Sequence, residues 1–311
     1  MSTFDLAVVG AGAAGLTLAT CLQARGRRVV VIDKGARPGG RLAARHLGDA
    51  RFDTGAVRLR VEDDAVARHL DTRLRAAGRG DLVAVGSDRW WQLADAAAVA
   101  HALLGDVEVV PALVTHLDVP DIGPVGAVVH GGAPVIRAQR IALTMPAPQV
   151  ALLLARSDLD PGDQLRSVVY RPAAVLLARL AAPVAEVEVP AADAWLAQVR
   201  DEFRRGRSPV PALTVQATEP AARRGFEQDA TDLTARLLTA LLARAPEAVV
   251  REVSLKRWRY ATVRTPLAGG TFLSLGDGRL VAAGDGFGPS SDPGRGVDQA
   301  VRSGLDAAQN C

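Results

Sequence analysis

The feature that most constrains this chain is a glycine-rich hexapeptide between an apolar run and a helical segment. The run Leu6–Val9 is typical of a buried parallel strand, and Ala13–Arg25 has apolar residues at helical spacing. A second apolar run, Val29–Ile32, follows and ends at Asp33. The hexapeptide itself is Gly10-Ala11-Gly12-Ala13-Ala14-Gly15. This order predicts a right-handed β-α-β unit with parallel strands.

Each glycine of the hexapeptide has a physical role in holding a dinucleotide. Gly10 permits the tight turn, Gly12 lets the backbone approach a pyrophosphate, and Gly15 allows the helix to pack close to the sheet. The start of the helix at Ala13 and Ala14 offers N–H groups and a partial positive charge to the phosphates. The alternative is a glycine-rich turn that binds no cofactor.

An acidic residue stands where a dinucleotide site needs one. Asp33 ends the second strand, near the spacing of about 20 residues at which a carboxylate accepts hydrogen bonds from the adenosine ribose. Lys34 follows directly and belongs to the expected site. An acid at this position favours FAD or NAD over NADP.

A second pair of motifs distinguishes FAD from NAD. They are Pro38-Gly39-Gly40-Arg41 and Arg51-Phe52-Asp53-Thr54-Gly55-Ala56. The segment from Val8 to Ala56 resembles the FAD-binding segment of the flavin amine oxidase superfamily, most closely its short renalase-like branch. The resemblance implies that Gly40 and Arg41 lie along the FAD pyrophosphate. It also implies that Gly55 and Ala56 pass close to the isoalloxazine ring.

Shorter matches extend the resemblance along the chain. The segment 109–117 resembles a strand pair that clasps adenine, with Val114 contacting the base through its backbone. Ala283-Gly284-Asp285 and Gly294-Arg295-Gly296-Val297 resemble the C-terminal FAD signature. There the resemblance implies that Asp285, after Gly284, meets the ribityl or phosphate end. The helix that starts at Gly296 and Val297 would direct its dipole at the flavin.

The chain departs from this branch where the substrate would bind. Val57-Arg58-Leu59-Arg60 stands where renalase-like proteins carry an aromatic pair, and aromatic residues are only 4% of the sequence. No catalytic residue is therefore assigned. Trp258 and Tyr260 are candidates for the substrate or flavin face, because alternation along a strand puts both on one side. The pair Trp90-Trp91 either lines a cavity or packs in a core.

The pattern predicts an α/β fold with a Rossmann-type FAD-binding domain, a parallel sheet and an inserted α+β substrate domain. We expect residues 1–60, 95–160 and 255–311 in the discontinuous FAD-binding domain. Residues 61–94 and 161–254 would form the substrate domain. The glycine- and arginine-rich segment 35–55 is expected to be an extended loop region, and Arg204-Arg205-Gly206-Arg207 a solvated turn.

Composition excludes several other classes of function. The 311 residues are 49% hydrophobic with a net charge of only +3, and interspersed acids disfavour a nucleic-acid partner. Outside the segment Leu6–Leu22, which contains the glycine turn, no apolar run is long enough to predict a membrane span. The five histidines lack ligand spacing, so we expect no metal site. Cys21 and Cys311 form no disulfide framework and sit where no covalent flavin link is expected. Dissociable FAD and a cytoplasmic location follow as expectations.

The leading hypothesis is a renalase-like FAD-dependent oxidase. Hydride would pass from a small reduced substrate, an isomeric dihydronicotinamide or an amine, to flavin N5, and O2 would be the acceptor. Two alternatives stay open: a flavin-dependent aromatic monooxygenase and a catalytically silent FAD-binding protein. The oligomeric state has no signature in the sequence.

Overall fold

The computed structural model describes residues 3–86, 88–131, 134–227 and 229–311. The chain divides into two compact units. Unit 1 comprises Met1–Ala43, Arg58–Val169 and Val263–Cys311, and unit 2 comprises Ala44–Val57 and Tyr170–Thr262.

The elements are numbered along the chain. The strands are β1 Phe4–Val9, β2 Val29–Asp33, β3 Ala44–Leu47, β4 Ala50–Asp53, β5 Arg58–Arg60, β6 Val83–Val85, β7 Trp90–Leu93, β8 Glu108–Pro111, β9 Val114–Asp118, β10 Val125–Val129, β11 Ile136–Leu143, β12 Val169–Leu180, β13 Leu196–Asp201, β14 Ala212–Ala217, β15 Val250–Thr265, β16 Phe272–Leu275 and β17 Leu280–Ala283. The helices are α1 Ala13–Gln23, α2 Asp64–Ala76, α3 Ala96–Leu104, α4 Ala147–Arg156, α5 Gly162–Ser167, α6 Glu219–Glu227, α7 Ala230–Leu242 and α8 Gly296–Asn310. Short 3-10 turns cover Gly40–Leu42, Gly80–Leu82 and Pro293–Arg295.

Unit 1 is built on a sheet with the strand order β16-β17-β11-β1-β2-β8. The five strands from β17 to β8 are parallel, and β16 runs antiparallel to β17. The interior of β1 and β2 is almost wholly inaccessible to solvent, because their near-continuous apolar runs are covered on both faces. Helix α1 connects β1 to β2 and packs against α8. The expected α/β fold with a Rossmann-type parallel sheet is confirmed.

Unit 2 contains an antiparallel sheet of order β13-β14-β12-β15. Alternate residues of β12 and β14 bury one face in an apolar cluster with α6 and α7, which includes Leu176, Val215 and Leu237. The opposite face holds a smaller cluster in which Phe52 of β4 packs with Val175 and Leu177. Unit 2 therefore has apolar packing on both faces of its sheet.

The expectation of a loop across residues 35–55 is wrong. The structure has a 3-10 turn and the antiparallel hairpin β3–β4 there. Ala50 and Phe52 point into the apolar cluster of unit 2, whereas Arg51 lies between them. Each strand has only four residues, so packing on the sheet stabilises the hairpin more than local preference does.

The division into units differs from the expected domain bounds. Residues 61–94, expected in the substrate domain, belong to unit 1, and Ala44–Val57 belongs to unit 2. The physical reason is packing, because α2 contacts α3 and α8, and β5 contacts α8 and the 3-10 turn Pro293–Arg295. Those partners all lie in unit 1.

Candidate functional site

Several of the predicted site residues meet at one edge of the unit 1 sheet. Because β1, β2, β11 and β17 are parallel, their carboxyl ends lie along the same edge. Gly10 follows β1, Asp33 ends β2 and Gly284 follows β17. Ligands of open α/β sheets bind at this edge, outside the carboxyl ends of the strands.

The turn after β1 is shaped by two glycines and a threonine. Gly10 has a φ of 113°, a left-handed backbone that favours glycine. A Cβ on Gly15 would lie 2.1 Å from the Gly10 carbonyl oxygen. Thr144, which follows β11, donates its hydroxyl to the carbonyl oxygen of Gly10 at 2.9 Å. Sequence reasoning gave Thr144 no role, although its position after an apolar strand marks it as an edge residue.

Gly12 differs from its neighbours because it faces open space. A Cβ built there meets no atom within 4 Å. Gly12 is the N-cap of α1, which has no side-chain cap and no acidic residue in its first turn, where Ala13 and Ala14 lie. Helical N–H groups in that turn have no intrahelical acceptor, so this end of α1 suits an anion such as a phosphate.

The loop that carries Gly40 folds over the glycine turn. Gly39 N–H donates to the Ala11 carbonyl at 2.7 Å, and a Cβ on Gly40 would lie 3.7 Å from the Gly12 Cα. Gly39 and Gly40 both have positive φ angles, 110° and 54°. The two glycine segments, which are distant in sequence, therefore form one backbone-lined concavity.

Asp33 is held in place by backbone donors. Its Oδ2 accepts from Ala11 N–H at 2.7 Å, and its Oδ1 accepts from Gly35 N–H at 2.6 Å. A carboxylate offers about four lone-pair positions, so these two bonds orient the group and leave capacity for hydroxyl donors. Lys34 is exposed beside it.

Arg41 and Asp285 form a bidentate ion pair. Nη1 lies 2.5 Å from Oδ2, and Nη2 lies 2.8 Å from Oδ1. The Asp285 side chain is only 4% exposed, compared with 31% for Arg41. Sequence reasoning placed both residues at the phosphate and ribityl end of a cofactor, and the pair joins the two loops that carry them.

The end of β17 is joined to α8. Gly284 N–H donates to the Ser303 hydroxyl at 2.8 Å, and Ser303 donates to the Thr271 carbonyl at 2.5 Å. A Cβ on Gly304 would lie 2.5 Å from the Ala14 carbonyl, so α8 and α1 cross closely. Helix α8 begins at Gly296 and Val297, as expected.

Val114, the residue expected at adenine, is the first residue of β9. It is buried and pairs with Val129 of β10. Within the described residues β9 pairs only with β10, so the other side of β9 is a sheet edge. An edge strand offers backbone donors and acceptors of the kind that a purine can pair with.

Four predicted site residues belong to unit 2. Gly55 and Ala56 follow β4 and are partly buried, as are Trp258 and Tyr260 on β15. The Lys256 ammonium lies 4.3 Å from the centroid of the Trp258 ring, and Tyr260 meets the ring of Tyr170 edge-on at 5.7 Å. The Trp258 indole N–H is shielded from solvent and has no hydrogen-bond partner in the described part of the chain.

Unit 2 also contains a buried charge cluster that the sequence did not indicate. Its members are Asp53, Arg200, Glu202, Arg205 and Arg207. Arg200 donates to the Asp53 carbonyl oxygen at 2.8 Å, and Arg205 lies 2.6 Å from the carboxylate of Glu202. Burial raises the pKa of Glu202 and lowers the pKa of Arg200.

The expectation of a solvated turn at 204–207 is wrong for Arg207. Its guanidinium is 8% exposed and donates to Asp53 Oδ2 at 3.1 Å. The cluster anchors the end of β4 directly before Thr54, Gly55 and Ala56. A turn of arginines in sequence gives no sign of the buried carboxylates that receive them.

No group of three or more His, Cys, Asp or Glu side chains in the described ranges is arranged to hold a metal ion. None of the helices described is both long enough and apolar enough to cross a membrane.

Comparison with known proteins supports the fold. The sequence family of NAD(P)-binding Rossmann-like domains matches residues 8–72, which are a minority of the chain. No curated protein matches the chain in sequence.

Three solved structures are similar along almost the whole chain. A candidate protoporphyrinogen oxidase from Exiguobacterium sp. 255-15 is 11% identical, with 100% of both chains covered and a TM-score of 0.70. A double mutant of putrescine oxidase, redesigned in its cofactor binding, is 16% identical over 99% of this chain and 98% of that one, with a TM-score of 0.70. The anhydrotetracycline hydroxylase OxyS from Streptomyces rimosus is 17% identical over 99% of this chain and 61% of its own, with a TM-score of 0.61. At these identities the likeness establishes the shared fold.

Proposed function

We propose that the chain is an FAD-dependent oxidoreductase of renalase-like type that binds FAD non-covalently. The observation that carries this proposal is the concavity at the carboxyl edge of the unit 1 sheet. There the open side of Gly12, the uncapped start of α1 and the Gly40 loop provide a backbone-lined place for a diphosphate. The fold shared with putrescine oxidase and a candidate protoporphyrinogen oxidase supports it.

The residues of unit 1 have separate tasks in this proposal. Asp33 accepts the ribose hydroxyls, and the N–H groups at Ala13 and Ala14 hold the pyrophosphate. Arg41 contributes positive charge near the diphosphate, and its ion pair orients Asp285. The edge of β9 at Val114 receives adenine. The start of α8 at Gly296 and Val297 directs backbone N–H groups and the helix dipole towards the flavin, and Gly284 lets the chain before Asp285 pass close to it.

Unit 2 supplies the substrate side in the same proposal. Gly55 and Ala56 pass near the isoalloxazine ring, and the charge cluster keeps the strand before them in place. Trp258 and Tyr260 face the substrate or flavin, which agrees with their shared side of β15 and with the unpartnered Trp258 indole N–H. Units 1 and 2 then correspond to the cofactor and substrate domains.

A bound flavin would supply the redox chemistry, with hydride taken from the substrate and O2 reduced to hydrogen peroxide. The protein has to orient the substrate and exclude competing reactions. It needs no dedicated acid–base pair for this role. Both cysteines are free thiols, which suits a reducing, cytoplasmic location.

The test is anaerobic reduction of the FAD-loaded protein by a panel of donors, followed by flavin absorbance. Isomeric dihydronicotinamides or primary amines should bleach the flavin, and air should restore it with peroxide formed. The fold shared with OxyS keeps a monooxygenase as the second candidate. If the chain is a monooxygenase, NADPH should reduce the flavin only when an aromatic compound is present. Flavin that no donor reduces would contradict both and leave a silent FAD-binding protein.

A further inference from the structure

The three-stranded ribbon β5-β7-β6 of unit 1 presents an arginine that has no carboxylate partner among the residues that the structure describes. One face of the ribbon is apolar and buried, with Leu59 1% and Trp91 8% exposed. The other face carries Arg58, Arg60 and Trp90, because side chains alternate along a strand. The two adjacent tryptophans therefore differ: Trp91 packs in the core and Trp90 lies on the outer face.

Trp90 is fixed next to the loop that leads into α8. A Cβ on Gly294 would lie 2.6 Å from the Trp90 ring, so the indole edge packs directly on that glycine backbone. The Arg58 guanidinium lies over the indole face, 4.7 Å from its centroid. This cation–π contact restrains the guanidinium, which stays exposed to solvent.

The arginines near Arg58 have carboxylate partners, whereas Arg58 has none among the described residues. Arg60 lies 2.6 Å from Glu62 and 3.6 Å from Asp292. Arg89 contacts Asp64, and Arg295 contacts Asp298. In the described part of the chain Arg58 has only its contact with Trp90 and no ion pair. An exposed guanidinium without a carboxylate partner can donate two parallel hydrogen bonds to a carboxylate or phosphate.

We propose that Arg58, stacked on Trp90 beside Gly294, recognises an anionic group of the substrate, a carboxylate or a phosphate. The identity of that ligand as substrate rests on the proposed function, since the loop Gly294–Gly296 begins the helix assigned to the flavin. The proposal also separates the two substrate classes left open. A nucleotide donor carries phosphate, whereas an amine is a cation that Arg58 repels.

The experiment titrates the full-length, FAD-supplemented protein with inorganic phosphate, acetate and ethylammonium at constant ionic strength. Binding is followed by tryptophan fluorescence, and bound flavin is measured separately by its absorbance. We expect saturable binding of phosphate or acetate, and the tighter of the two identifies the anion. Arg58→Met should weaken this binding about tenfold or more, since a charge-assisted bidentate contact is lost. Arg58→Lys should retain part of it.

The matched control is Arg68→Met, which removes an exposed arginine from α2 and should bind anions like the wild type. The proposal is overturned if the wild type binds neither anion, if Arg58→Met binds them unchanged, or if ethylammonium binds more tightly. A chain that binds anions through Arg58 but takes up no flavin would contradict the proposed function while leaving the anion site standing.

Discussion

At the residue scale, Gly15 and Gly12 of the glycine turn have different tasks. A Cβ on Gly15 would collide with the Gly10 carbonyl, whereas a Cβ on Gly12 would meet no protein atom within 4 Å. Packing thus requires a glycine at position 15 even when no ligand is bound. A glycine at position 12 is required only if a ligand occupies the open space beside it.

This difference yields a prediction that separates folding from binding. Gly12→Val should change the free energy of unfolding by less than about 1 kcal/mol. It should weaken FAD binding by roughly a hundredfold, ~2.7 kcal/mol, because the side chain fills the phosphate space. Gly15→Ala, by contrast, should lower stability by about 1–3 kcal/mol through overpacking. Urea unfolding and FAD titration of both variants measure these effects. Unchanged FAD affinity in Gly12→Val would refute the assigned phosphate position.

His69 on α2 offers a second test at this scale. Burial, with a smaller contribution from Arg73, lowers the pKa of His69 from 6.5 to about 4. The folded state therefore binds this proton less well than the unfolded state. The resulting stability is present above pH 6.5 and is lost as the pH falls towards 4.

Replacing the ring should remove that pH dependence. Between pH 7 and pH 4 the free energy of unfolding of the wild type should fall by about 2 kcal/mol more than that of His69→Gln. This figure allows for the partial exposure of the ring. His101→Gln, at an exposed position of α3, serves as the control and should follow the wild type. Parallel stability curves for wild type and His69→Gln would show that the ring is not shielded in the folded protein.

At the element scale, the sequence predicted the elements whose pattern is local. The predicted bounds of β1, α1 and β2 lie close to the observed ones, and α8 begins where it was expected. The hairpin β3–β4 and the ribbon strands β5–β7 escaped prediction because each strand has three or four residues. Such strands depend on partners that are distant in sequence.

The charge cluster of unit 2 escaped prediction for the same reason. Asp53 lies 147 residues before Arg200 and 154 residues before Arg207, the two arginines that donate to it. Glu202 is fully buried and lies 2.6 Å from Arg205, while Arg200 is nearby at 3.7 Å. Buried charges of this kind are costly unless each one has its partner.

Removal of one partner should therefore cost far more than removal of a surface ion pair. Glu202→Ala should lower the free energy of unfolding by about 3–5 kcal/mol, since it leaves buried arginine charge uncompensated. Asp71→Ala breaks the exposed pair with Arg75 on α2 and should cost less than about 1 kcal/mol. Urea unfolding of the two variants compares them directly. Similar losses would mean that the cluster is solvated.

At the scale of the whole molecule, the chain enters unit 2 twice, at Ala44–Val57 and at Tyr170–Thr262. The sequence indicated a discontinuous arrangement, and its expected limits differ from those of the compact units around residues 44–57 and 61–94, because tertiary packing decides which residues belong to a unit. The motifs predicted a site at the glycine turn, Asp33, Gly40, Arg41, Gly284 and Asp285, and their contact with a cofactor stays a prediction. They did not reveal Thr144 or the ion pair that joins two of these loops.

The most direct test of the central claim is titration of the purified full-length chain with FAD, followed by flavin absorbance and by thermal unfolding. We expect saturable, reversible uptake of one FAD per chain. We also expect stabilisation by about 2.7 kcal/mol when free FAD reaches a hundred times its dissociation constant. Gly12→Val, with its roughly hundredfold weaker binding, should be only about half saturated at the same FAD concentration and gain about 0.4 kcal/mol. A folded wild-type chain that takes up no FAD and gains no stability would contradict the account.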